Sequence, residues 1–131
     1  MTISGATTDF LSHRRLLVVE DDPFISVDLQ DLLASAGAVV LGPVPTVRAA
    51  LALLETDRPH AALLDLNLRG ERSTPVAEAL QAVAVPFVLV TGYSASQIDE
   101  PAFREAPIVS KPVRASILMR ALQRLLPTLA V

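Results

Sequence analysis

Leu16-Leu17-Val18-Val19-Glu20-Asp21-Asp22-Pro23 is the stretch on which the fold turns: four apolar residues, three carboxylates and a proline. An apolar quartet without polar alternation suits a strand buried on both faces. Asp22 before Pro23 predicts a helix N-terminus, with Phe24, Ile25, Leu29, Leu32, Leu33 and Ala36 on one face and Gly37 as the stop. Downstream the unit recurs. Ala38 to Leu41 reads as a second strand closed by Gly42-Pro43, and Thr46 caps a helix carrying Val47, Ala50, Leu51 and Leu54. Ala61-Ala62-Leu63-Leu64 is a third strand ending at Asp65, followed by a loop from Asn67 to Ser73 and a helix from Pro75 to Val83. Pro86 to Val90 is a fourth strand, Ala95 to Phe103 a weak helix interrupted at Pro101, Ile108-Val109 a short fifth strand, and Val113 to about Leu126 the last helix. Five strands alternating with five helices imply an α/β fold, a doubly wound five-stranded parallel sheet with helices on both faces.

With 131 residues, 51% of them hydrophobic and 19% charged, the chain has the length of one domain and the material for a core. The absence of cysteine excludes disulfides, thiolate metal sites and a cysteine nucleophile, and points to a reducing compartment, the cytoplasm. A net charge of −3, with no basic run longer than Arg14-Arg15, gives no reason to expect nucleic acid or an acidic membrane as partner. Apolar stretches are cut by Gly42, Pro43, Pro86 and Gly92 well short of a membrane span. Residues 1–13 are polar and small, and read as a flexible N-terminal tail with no secretory pattern, leaving 14–131 as the domain.

In a doubly wound sheet, ligands sit beyond the carboxyl ends of the strands. Strand one ends in Glu20 and Asp21, strand three in Asp65, strand four in Thr91 and strand five in Lys111, the single lysine beside ten arginines. Each has a plain structural reading as a cap, a turn or a solvated charge; their joint placement points to chemistry. Carboxylates crowded at one edge repel, which raises their pKa values or draws in a cation, and an all-oxygen set favours Mg²⁺. Asp21, Asp65 and one backbone carbonyl suffice for that ion, and a carboxylate can attack phosphorus to give an aspartyl phosphate. The Lys111 ammonium and the Thr91 hydroxyl would then hold phosphoryl oxygens.

Four elements, Leu17-Val18-Val19-Glu20-Asp21-Asp22-Pro23, Leu64-Asp65-Leu66-Asn67-Leu68, Val90-Thr91-Gly92 and Ser110-Lys111-Pro112, resemble the receiver domain of two-component response regulators over about residues 14 to 127. The resemblance implies a flavodoxin-like receiver fold and a phosphorelay role, with Asp65 as phosphoacceptor and Thr91 and Lys111 contacting the phosphoryl group. It also implies Mg²⁺ held by Asp21, Asp65 and the main-chain carbonyl of Asn67, Glu20 acting through water, and a cis Lys111-Pro112 bond. Two features depart from the family pattern. Leu68-Arg69-Gly70-Glu71 stands where a proline is common, and Ile108 takes the place of the aromatic switch residue. A partial likeness to the Phe-Ala-Thr-Gly-x-Tyr branch of receivers makes Thr91, Tyr93 and Ile108 the switch positions. Tyr93 itself reads either as a partial replacement for the missing aromatic or as an amphipathic ring at a loop edge.

With no second domain in the sequence, output through another protein is expected, with a histidine kinase or histidine phosphotransfer protein as donor and the chain a monomer or weak dimer. His13 and His60 are expected to be exposed rather than relay residues. Two other readings compete. A Mg²⁺-dependent aspartate-nucleophile phosphohydrolase would need a second Asp two residues after the nucleophile, where Asn67 stands, so no enzymatic turnover is expected. A receiver-like module that is never phosphorylated would have lost Asp21, Asp65 or Lys111, and all three are present.

Overall fold

The structure, a computed structural model, describes residues 9–126. Its elements run β1 (Arg15–Val19), α1 (Pro23–Ser35), β2 (Val39–Val44), α2 (Val47–Thr56), β3 (Ala61–Leu64), β4 (Asn67–Leu68), β5 (Glu71–Arg72), α3 (Thr74–Ala82), β6 (Phe87–Thr91), β7 (Ile108–Ser110) and α4 (Ala115–Leu125). Five strands form one parallel sheet in the order β2-β1-β3-β6-β7, while β4 and β5 make a separate antiparallel hairpin. This is the flavodoxin-like, doubly wound arrangement expected from the sequence.

Strand alternation divides the core between the two faces. Leu17, Val19, Ala62, Leu64, Phe87 and Leu89 pack with Val47 and Ala50 of α2 and Val76, Ala77 and Leu80 of α3. Leu16, Val18, Ala61, Leu63, Val88, Val90 and Val109 pack with Leu29 and Leu33 of α1 and Leu118 and Leu122 of α4. Both sides of the central strands are therefore dry, which is why their sequences show no polar alternation. Asp22 caps α1 by accepting from the Phe24 and Ile25 N–H groups at 2.9 and 3.2 Å, and Thr46 caps α2 by accepting from Ala49 N–H at 3.0 Å.

Several expectations are corrected. Strand β2 runs through Gly42-Pro43 instead of stopping there: as an edge strand it needs N–H donors on one side only, and proline is tolerated at such an edge. Gly42 has φ +88°, and a Cβ there would stand 2.8 Å from Val44 N, so only glycine fits. The expected loop from Asn67 to Ser73 contains a two-residue hairpin turn, with Arg69 at φ 52° and Gly70 at φ +83°. No α-helix forms between β6 and β7; two 3₁₀ turns, Ala95–Gln97 and Pro101–Phe103, stand there, because Pro101 cannot donate and biases Glu100 away from helix. Four α-helices, not five, thus occur among the described residues. Phe24, placed by periodicity on the buried face of α1, is 83% exposed at its first turn, and Ile117 of α4 is also exposed.

The boundary of the tail moves as well. Residues 1–8 lie outside the described residues, but Asp9–Leu11 form a 3₁₀ turn, Leu11 is fully buried, and His13 N–H donates to Gly37 O at 3.0 Å. His60 is half-buried rather than exposed, its Nδ1 accepting the Arg15 N–H at 2.8 Å. Burial, with the charges of Arg15 and Arg14, pushes its pKa down.

Candidate functional site

The site is built on the last rungs of the sheet. Beyond β1, Glu20 N–H donates to Val44 O of β2 at 3.0 Å; beyond β3, Asp65 N–H donates to Val19 O at 3.0 Å; beyond β7, Lys111 N–H donates to Thr91 O at 3.0 Å. Each chemical side chain therefore sits where the backbone ladder fixes it, at the crevice where the chain reverses its direction of strand addition between β1 and β3. The Lys111-Pro112 peptide is cis, as expected from the resemblance.

Lys111 Nζ lies 2.9 Å from Asp65 Oδ2 and 3.0 Å from Glu20 Oε1. Asp65, almost fully buried, accepts the Leu66 N–H at its other oxygen, Oδ1, at 2.7 Å. Glu20 accepts the Asp22 N–H at 3.1 Å, and Asp21 accepts the Arg69 N–H of the hairpin turn at 2.9 Å. Of the acidic triplet, Asp22 caps a helix, whereas Glu20 and Asp21 join Asp65, each offering an oxygen within 4.8 Å of the others.

Electrostatics follow from that crowding. Burial raises the Glu20 carboxyl from 4.5 to about 7, helped by the charge of Asp65 and opposed by hydrogen bonds from Asp22 N–H and Lys111. For Lys111, burial works to lower the pKa, but hydrogen bonds to Asp65 and Glu20 together outweigh it and hold the ammonium above its usual range. Two of the three carboxylates, Glu20 and Asp65, share the Lys111 ammonium. This all-oxygen group, with a buried member that resists ionisation, fits a hard divalent ion such as Mg²⁺.

The other expected residues stand nearby with different partners. Thr91 is buried at the end of β6, its Oγ1 accepting the Tyr93 N–H at 3.2 Å. Tyr93 is 43% exposed, and Ile108 is partly buried on the α2/α3 side of the sheet. Asn67 presents Oδ1 to Arg72 Nη1 at 3.3 Å. Sequence reasoning missed Arg72 altogether: its guanidinium also meets Glu100 Oε2 at 2.6 Å and lies 6.0 Å from the centre of the Tyr93 ring. The hydrogen bond from Arg72 holds the Glu100 carboxyl below its usual range, and Glu100 raises Arg72 in turn. An arginine in a polar loop gives no local signal of such partners, since Glu100 lies 28 residues away.

Comparisons with known proteins cover most of the chain. Residues 16–123 match the family model described as the response regulator receiver domain. The transcriptional regulatory protein PdtaR of Mycobacterium tuberculosis is 28% identical over 127 residues, covering 92% of this chain and 62% of that protein. The phyllosphere-induced regulator PhyR of Methylorubrum extorquens is 31% identical over 104 residues, 74% of this chain and 38% of that protein. The chain thus spans less than two-thirds of these relatives. The solution structure of SdrG from Sphingomonas melonis Fr1 superposes with a TM-score of 0.77 at 44% identity, covering 88% of this chain and 98% of that one. Its BeF3-activated conformation gives a TM-score of 0.75 with the same identity and coverage.

Proposed function

The chain belongs to the response regulator receiver domain family, and on that premise we propose that it accepts a phosphoryl group on Asp65 and signals through contact with another protein. The observation that carries this reading is the pairing of Asp65 with Lys111 at 2.9 Å inside a group of three carboxylates.

In the proposed transfer, a carboxylate oxygen of Asp65 attacks the phosphorus of a phosphohistidine on a histidine kinase or phosphotransfer protein. An O–P bond forms, the N–P bond breaks, and the imidazole leaves and takes up a proton. Lys111, already at hydrogen-bond distance from Asp65, would follow the negative charge onto a phosphoryl oxygen, and the Thr91 hydroxyl would donate to another. Asp21, Asp65 and the Asn67 carbonyl are the residues to hold Mg²⁺, with Glu20 acting through water. When bound, the ion would neutralise charge on the transferring oxygens. Nothing in this scheme requires repeated turnover. The position two residues beyond Asp65 is an amide whose Oδ1 already takes a hydrogen bond from Arg72, not a second carboxyl available for acid–base work.

Labelling with acetyl phosphate, with and without Mg²⁺, followed by mapping of the modified residue, tests the proposal. Mg²⁺-dependent modification of Asp65, at no more than one phosphate per chain and absent from Asp65→Asn, is expected. Equal labelling of Asp65→Asn would overturn the assignment of the acceptor. Rapid release of many equivalents of phosphate would favour a phosphohydrolase instead.

A further inference from the structure

Arg72 touches the residues two steps beyond both Asp65 and Thr91, Asn67 and Tyr93. It stands opposite Asn67 in the hairpin. Its fork spreads over three groups: Nε and Nη2 reach the two carboxylate oxygens of Glu100 at 2.6 and 3.5 Å, Nη1 reaches Asn67 Oδ1 at 3.3 Å, and the guanidinium carbon lies 6.0 Å from the Tyr93 ring centre. Both ends of the ion pair are about one-third exposed. The two halves of the connection between β6 and β7 are held differently. Its second half is held by Phe103, packed edge-on to Phe87, and by Gln81 Nε2 donating to Ala102 O. Its first half makes mainly internal bonds, Ser94 N–H to Gln97 Oε1 and Gln97 N–H to Ser94 O, with Ile98 only partly buried.

We propose that Arg72 is a positioning residue that couples the hairpin following the acceptor to residues 93–100, so that a change at Asp65 and Asn67 is transmitted to the β6–β7 connection through its guanidinium. The coupling rests on the reading of Asp65 given above; the tie itself rests on geometry alone. A planar fork is what this task demands, because one side chain must hold a carboxylate, an amide oxygen and a ring face at fixed angles, which a lysine cannot do. Thr91 contacts the same segment as well, since its Oγ1 accepts the Tyr93 N–H. A pull on Thr91 and a shift of the hairpin would therefore both act on one short segment.

Amide exchange read by mass spectrometry on the whole chain tests this in three states: metal-free, with Mg²⁺, and with Mg²⁺ plus beryllofluoride as a phosphoryl mimic. In the metal-free protein, Arg72→Ala should speed exchange of residues 93–100 by about three- to tenfold, the range open to an ion pair reinforced by an aromatic face, with β1 and β3 unchanged. Beryllofluoride should alter exchange at both 66–72 and 93–100 in the native chain, and in Arg72→Ala it should alter 66–72 as before but 93–100 by less than half the native change, the part carried by Thr91 alone. Arg72→Lys, which keeps the charge but loses the fork, should restore part of the metal-free protection at 93–100 while recovering less than half of the beryllofluoride response there, a split that a merely structural charge pair would not produce. A native response at 93–100 in Arg72→Ala, unchanged metal-free exchange in that variant, or a native beryllofluoride response in Arg72→Lys would overturn the proposal. If the native chain shows neither beryllofluoride response nor labelling at Asp65, the reading of function fails, while the metal-free comparison still decides whether Arg72 holds the segment.

Discussion

Glu20→Gln offers a quantitative probe of the acidic site. Glu20 is 3% exposed, and its carboxyl is raised from 4.5 to about 7. Because the folded chain holds this proton more tightly than the unfolded chain, protonation of Glu20 favours folding fully below about pH 4.5, and the advantage is gone above about pH 7. At about 1.4 kcal/mol per pKa unit, the displacement amounts to about 3 kcal/mol. Glutamine keeps the shape and an oxygen for Lys111 but carries no charge to bury. The variant should therefore exceed the native chain in stability by under about 1 kcal/mol at pH 5 and by about 3 kcal/mol at pH 8. His60 acts with the opposite sign, since its lowered pKa makes stability rise with pH. It is present in both proteins and cancels in the difference. Urea unfolding of the two chains at pH 5, 6, 7 and 8 in a chelating buffer measures the gap directly. A gap independent of pH, or a native chain more stable than the variant at pH 8, would refute the account of Glu20 as a carboxylate ionised against its surroundings.

Further expectations follow from the same geometry. Asp21→Ala should weaken Mg²⁺ binding, read by titration, more than Glu20→Ala does, because a direct ligand contributes more than one acting through water; equal losses would remove that distinction. Lys111→Arg should leave the circular dichroism spectrum and melting curve near native while slowing the Mg²⁺-dependent labelling of Asp65, since a guanidinium needs more room than the compact ammonium 2.9 Å from Asp65. Native labelling kinetics in that variant would count against a phosphoryl contact. Thr46→Ala removes the acceptor for Ala49 N–H and should lower stability by about 1 kcal/mol in urea unfolding without altering labelling.

What could be read from the sequence and what could not have separate physical causes. The apolar quartets at Leu16 and Ala61 announce buried parallel strands because every side chain in them is dry, and the residues that follow fall at one sheet edge by topology alone. The placement of Glu20, Asp65, Thr91 and Lys111 at that edge is therefore legible in the sequence. The hairpin at 67–72 was hidden because its turn is Arg69-Gly70 rather than the Asn-Gly that usually marks such a turn. The failed helix between β6 and β7 shows the limit of periodicity in a segment where proline decides the backbone. Phe24 sits at the first turn of α1, where helical spacing no longer says which neighbours reach the ring. Arg72 and Glu100 were invisible for another reason: a long-range ion pair leaves no trace in local spacing.

Leu11 has a practical meaning for anyone who trims the chain. The stretch recognisable by kinship, residues 16–123, is shorter than the stretch that shares the core, because Leu11 lies before it and Leu126 after it, and both are buried against the α1 and α4 side of the sheet. Cutting at the recognised borders would remove two leucine plugs, each worth about 2–5 kcal/mol, from a domain whose whole margin is about 5–15 kcal/mol. A fragment cut in that way would expose greasy surface and clump, and its silence in a phosphorylation assay would report on the scissors rather than on Asp65.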